Sequence, residues 1–211
     1  MEYPVTLILI AINVIVSMIG FSNPDFINKY ILWPYRQARE NQHYRFITSG
    51  FLHADWMHLL FNMFTLYFFG RLIEMLLQGY GLGGKISYII LYFIGLIVAS
   101  IPTYIKHKDN YGYRALGASG AVSAVVFACV LFNPWGTLYL FFIPMPMVVY
   151  AVLYIWYCIY MAKRGGDNIN HDAHLWGSLF GLAFTIALIA SMRPELFEGI
   201  FYDLIHPRFS F

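Results

Sequence analysis

Charge is scarce in this chain. Aspartate, glutamate, lysine and arginine make up 11% of its 211 residues, whereas 60% are hydrophobic. A soluble domain carries about 25% charged residues. Too few charges exist here to cover a water-facing surface, so lipid must solvate most of the chain. No basic run or basic-aromatic strip is present and the net charge is only +2, which excludes nucleic acid as a partner. Cysteine is nearly absent. Cys129 and Cys158 lie in apolar runs, which argues against a disulfide framework and reads as two small core residues. The N-terminus also lacks the basic segment and the small-x-small site of a cleavable signal, and residues 3–24 carry no charge.

What the chain has is apolar length. At 1.5 Å rise per residue, a bilayer core needs about 20 apolar residues. Six spans are expected, at about 5–21, 56–77, 86–105, 119–132, 146–162 and 172–192. The stretch 22–55 sets Trp33, Pro34 and Tyr35 among Arg36, Arg39, Glu40, His43 and Arg45, which suits a long first loop lying in the headgroup region. Arg71 and Glu74, three apart near the end of the second span, can pair on one face. Gly79, Gly81, Gly83 and Gly84 break the chain after that span, and Asn133-Pro134-Trp135-Gly136 divides the uncharged run 115–162. The tail 193–211 mixes polar and aromatic residues and is expected at the interface. Connections are mostly short, so the fold class is all-α: one polytopic membrane bundle of six transmembrane helices in a single domain, 1–211.

Polar groups inside a span are costly and need a reason. His58 and Asn62 are four apart and share a helix face. Alone, they read first as an interhelical hydrogen bond worth about 1 kcal/mol. Gly117-Ala118-Ser119-Gly120 opens the fourth span, which at fourteen residues is about 21 Å long against a hydrocarbon core of about 30 Å. Ser119 would therefore sit at depth on a helix N-terminus, where free N–H groups favour a developing anion. Alone, it reads as an N-cap serine. His174 shares a face with Gly177 and Gly181, small residues that let a neighbouring helix press close. Alone, it reads as an interfacial histidine. Together these residues comprise a nucleophile, a base and oxyanion donors. Asp172 lies on a different face from His174 and is expected to cap its helix or face solvent.

The combination resembles the rhomboid intramembrane serine proteases. HxxxN stands in the second span (His58, Asn62), GxSG opens the fourth (Gly117 to Gly120), and His174 with Gly177 and Gly181 stands in the sixth. The resemblance implies Ser119 as nucleophile and His174 as general base, with His58, Asn62 and the Ser119 backbone N–H at the oxyanion. It implies structural support from Gly117, Gly120, Gly177, Gly181, Arg45 and Glu74. It further implies single-span membrane-protein substrates cut within the lipid bilayer, no metal and no cofactor. Two positions depart from the family: Tyr44-Arg45 stands where Trp-Arg is usual, and Ser123 stands where many members place an aromatic ring against the catalytic histidine. Lacking an extra soluble domain or seventh helix, the sequence looks like a minimal form.

The resemblance places the protein in a bacterial inner membrane, multi-pass, with its active site opening to the outer side. The outer segments would then hold nine Lys and Arg residues (Lys29, Arg36, Arg39, Arg45, Lys106, Lys108, Arg114, Lys163, Arg164). The inner segments would hold four (Arg71, Lys85, Arg193, Arg208). That distribution runs against the positive-inside rule. Two other readings compete: a rhomboid-like protein that binds membrane segments without catalysis, and a metal or proton site in a small transporter, built on His53, His58, His171 and His174.

Overall fold

The computed structural model describes residues 3–140 and 142–207; Arg208 and the end of the tail lie outside them. The chain opens with α1 (Pro4–Ser22), followed by α2 (Pro24–Tyr30), α3 (Pro34–Glu40) and α4 (Arg45–Thr48). Next comes the second span, α5 (Trp56–Thr65) and α6 (Arg71–Gly79), joined without a break through one π turn at Leu66–Gly70. Then follow α7 (Gly84–His107), α8 (Ser119–Val130), a hairpin, α9 (Met147–Arg164), α10 (His171–Met192) and α11 (Leu196–Ile205). Among the described residues four helices are long and apolar enough to cross a membrane: Pro4–Ser22, Trp56–Gly79, Gly84–His107 and His171–Met192. This is a multi-pass membrane protein.

The short helix α8 is the axis of the bundle. Every residue from Gly120 to Val130 is buried. Twelve residues make only about 18 Å of helix, so α8 never has to face lipid along its length and can be apolar all round. Glycines set its distance from both neighbours. A Cβ on Gly95 of α7 would lie 3.3 Å from Ala124 Cβ, whereas one on Gly177 of α10 would lie 2.1 Å from the carbonyl oxygen of Gly120.

The uncharged run 115–162 does not pass directly from helix to helix. After α8 the chain forms an antiparallel hairpin, β1 (Thr137–Leu140) with β2 (Ile143–Pro146), pairing Thr137 with Pro146 and Leu140 with Ile143. The fold remains mostly helical, as expected, and among the described residues this two-stranded hairpin is its one sheet. Pro144 and Pro146 lack the N–H that a helix interior needs, and Pro146 instead becomes the residue from which α9 starts.

Polar residues of α1 face inward and join it to the bundle. Asn13 Nδ2 donates to the Tyr92 hydroxyl at 3.0 Å, and Glu74 of α6 accepts from Val5 N (3.0 Å), Thr6 N (3.0 Å) and Thr6 Oγ1 (2.8 Å). A buried carboxylate from another helix thus caps α1, where the helix dipole favours negative charge. Arg71 pairs elsewhere than with Glu74, donating to the Tyr67 hydroxyl at 2.7 Å. Glu74→Ala strips three buried donors of their acceptor, and is expected to cost about 3 kcal/mol. Thermal unfolding in detergent checks this; a variant that melts with the parent would rule out the cap.

The first loop folds into α2, α3 and α4, short helices two of which begin at Pro24 and Pro34. Arg45, 1% exposed, donates to Gln42 Oε1 (2.7 Å), Asn28 O (3.0 Å) and Ile31 O (2.7 Å). Burial pulls its pKa below the ordinary arginine value. The loop that Arg45 gathers then reaches Ser119. Leu32 and Ala115 exchange two backbone hydrogen bonds, both 3.0 Å, and Gly117 N donates to Ser49 O at 3.0 Å.

Candidate active site

Ser119 is the first residue of α8, and its chain enters through Gly117 at φ 125°. That conformation favours glycine. Space demands it as well, because a Cβ there would lie 2.7 Å from His58 Cε1 and 2.9 Å from His58 Nε2. The His58 ring therefore lies directly over the turn that presents Ser119. The first-turn N–H groups of α8 have no helical acceptors, so they are oriented donors beside the hydroxyl. A cavity of about 30 Å³, room for about one water, opens on the loop side of Ser119 and is lined by Ser49, Ser100, Gly117, Ser119 and Asn170 among others.

Hydrogen bonds assign the histidine tautomers. Ala54 N donates to His58 Nδ1 at 3.4 Å, so a neutral His58 carries its proton on Nε2, the nitrogen over Gly117. Asn62 Nδ2 donates to His58 O at 2.9 Å and keeps a second hydrogen free. His53 packs edge-on against His58, ring centroids 5.0 Å apart. Ser17 Oγ gives its one hydrogen to Phe51 O at 3.0 Å, so in its 2.8 Å contact with His53 Nδ1 the ring must donate. Nε2 of His53 is left buried, with no hydrogen-bond partner among the described residues.

Burial, reinforced by the neighbouring His58, holds the His53 pKa down to about 3. A histidine kept neutral in the fold binds protons more readily when unfolded. Stability is then lost as pH falls from about 6.5 toward 3, by up to about 1.4 kcal/mol per pH unit. His53→Gln is expected to flatten this acid loss; parallel melting curves at about pH 7 and pH 5 measure it. Equal acid loss in both proteins would assign it to other groups.

His174 stands in the first turn of α10, whose N-terminus Asn170 caps by accepting from Ala173 N at 3.1 Å. The same oxygen accepts from Thr103 Oγ1 of α7 at 3.0 Å. Asp172 does not cap; it pairs with Lys106 at 2.9 Å. The starts of α8 and α10 are packed together, since a Cβ on Gly120 would lie 3.4 Å from Ala173 O. Ser119 and His174 flank that contact, although no hydrogen bond joins them among the described residues. The ring missing at Ser123 is supplied by α9. Tyr154 stacks on His174 with centroids 6.3 Å apart and planes at 21°, and its hydroxyl lies 3.4 Å from Ser123 Oγ. The four histidines considered for a metal fall into two pairs, His53 with His58 and His171 with His174, and Cys158 joins the second pair. Sequence reading missed Tyr154 and passed over Cys158 as core. Both lie on one α9 face with Tyr150, at a spacing of four that was available as a signal.

A bundle of apolar helices around a buried serine-bearing helix, with a histidine over the turn that starts it, defines a class of membrane protein with a polar centre among its helices. A family model described as "Rhomboid domain" matches residues 40–191. The chain belongs to the rhomboid family. It is 35% identical over 143 residues to "RHOMBOID-like protein 12, mitochondrial" of Arabidopsis thaliana, covering 63% of this chain and 42% of that one. It is 26% identical over 203 residues to "Rhomboid protease GlpG" of Enterobacter sp. (strain 638), covering 91% and 66%. To "Rhomboid-like protein 11, chloroplastic" of Arabidopsis thaliana it is 32% identical over 148 residues, covering 66% and 50%. The chain thus spans between about two fifths and two thirds of these relatives' lengths.

Proposed function

We propose that the protein is an intramembrane serine endopeptidase acting through Ser119 and His174. The observation that carries this reading is the close junction of α8 and α10, where Gly120, next to Ser119 in the chain, meets Ala173, next to His174, and Gly177. His174 takes the hydroxyl proton as Ser119 Oγ attacks the scissile carbonyl. The oxyanion forms against His58 Nε2–H, the free N–H of Asn62 and the Ser119 backbone N–H. His174 then protonates the leaving amine, and a water frees the acyl group from Ser119. Catalytic hydrogen bonds tighten as substrate closes a site, which fits a dyad not yet bonded. No metal or cofactor enters this chemistry.

The reading includes a six-span bundle in which Ser119–Val130 and Met147–Arg164 are the fourth and fifth spans. It includes single-span membrane proteins as substrates, and a bacterial inner membrane with the site opening outward. The test is incubation of the purified protein with a single-span substrate, alongside a fluorophosphonate that reacts with activated serines. Cleavage together with labelling at Ser119 supports the proposal. A folded protein that neither cleaves nor labels would be a binding module instead.

A further inference from the structure

We propose that Cys158, His171 and His174 form a site for a soft divalent cation of the zinc class, and that its occupation switches the protease off. The regulatory half rests on the proposed catalytic role of His174.

One ligand atom from each of the three residues lies within 4.8 Å of the other two. Tetrahedral zinc, with bonds of about 2.3 Å to sulfur and about 2.0 Å to nitrogen, holds its ligands about 3.5 Å apart. Side-chain rotation of about 1 Å closes the difference. Thiolate with two imidazoles selects zinc-like ions over magnesium or calcium, and three protein ligands leave a fourth position open.

The independent observation concerns His171, which is 3% exposed. Its Nε2 lies 3.0 Å and 3.2 Å from the two carboxylate oxygens of Asp167. The carboxylate accepts that N–H, so the neutral ring carries its lone pair on Nδ1. This Nδ1 is buried and has no hydrogen-bond partner among the described residues. An orphaned buried acceptor calls for an explanation. A carboxylate behind one histidine nitrogen, with the other nitrogen bare, is how metal-ligating histidines are oriented. Cys158 is fully buried on α9, so an ion would tie α9 to α10. Binding would release the thiol proton to solvent. It would also occupy the His174 lone pair that must take the Ser119 proton.

The experiment uses the full chain, purified in detergent, stripped of metal and titrated with cobalt(II). The parent is expected to develop a thiolate-to-cobalt charge-transfer band with intense tetrahedral d–d bands, and Cys158→Ser to lose the charge transfer. Asp167→Asn, in an exposed loop, is expected to weaken binding about 10- to 100-fold. Zinc should inhibit cleavage by the parent over the range in which it displaces cobalt. Cys158→Ser should keep its basal cleavage and need at least about tenfold more zinc. Absence of the band in the parent, or an equal band in Cys158→Ser, overturns the site. Binding without inhibition of an active enzyme overturns the switch. A cobalt band in a protein that never cleaves supports the site and overturns the protease reading, with the switch that rests on it.

Discussion

Ser119→Ala, His174→Ala and the double variant are expected to cleave a single-span substrate at one common residual rate, on the order of 10⁴-fold or more below the parent. The reason is that in the proposed mechanism the two groups perform one act. A serine without its base is a poor nucleophile, and a base without the serine has no proton to move. Their losses therefore do not add. Asn62→Ala removes one of the proposed oxyanion donors and should lie between, with turnover down about 10²- to 10³-fold. Asn62 bonds within its own helix, to His58 O, so its loss should leave the melting temperature nearly unchanged. Turnover and melting must be measured on the same preparations. Cleavage surviving Ser119→Ala would assign the nucleophile elsewhere. A double variant far slower than either single would show that the residues act independently.

Gly177→Ala and Gly181→Ala are expected to be the most damaging single-methyl changes in the protein. The new Cβ would lie 2.1 Å from Gly120 O in the first case and 2.1 Å from Ala124 O in the second. Both obstacles are backbone, so no rotamer change relieves them. The helices must part by about 1 Å, at an overpacking cost of about 1–3 kcal/mol or more. Alanine is the better helix former by about 1 kcal/mol, so the local preference points the opposite way and the packing term decides the sign. In lipid, close van der Waals contact is a main force between helices, and parting them forfeits it. The Gly177 contact lies beside both Ser119 and His174. A misplacement of about 1 Å there costs about 10²-fold in rate, so Gly177→Ala should lose activity beyond its loss of stability. Unchanged or raised melting temperatures would mean that the seam is looser than 2.1 Å contacts allow.

Much of the candidate site was legible because its residues violate the rules of a lipid-facing helix. His58, Asn62, Ser119 and His174 are polar groups in apolar runs, and their helical spacing assigns each a face. Sequence also marked Ser119 as a helix start, since glycines precede and follow it and a divider at Asn133-Pro134 cuts the helix short. Neighbourhood was another matter. Tyr154 lies 20 residues before His174 in the chain and Ser123 lies 31 before Tyr154, so only the docking of α9 against α8 and α10 brings them together. The hairpin at 137–146 lies almost wholly between the expected fourth and fifth spans, 119–132 and 146–162, where a short uncharged apolar stretch carries no period that tells strand from helix. Arg45 stood in the first loop with a structural role implied by the resemblance, but its acceptors, Gln42 Oε1, Asn28 O and Ile31 O, came only with the fold of that loop.

By itself, then, the sequence determined a membrane bundle, the helix faces that carry polar chemistry and the family to which they belong. Local composition controls solvation and helical phase. The tertiary structure decided which faces meet: Glu74 capping α1, His58 over Gly117, Tyr154 standing in for the ring that Ser123 lacks, and Cys158 beside two histidines. Those pairings depend on distances between helices, which are set by glycine-to-carbonyl contacts across the bundle and not by the sequence around any one residue.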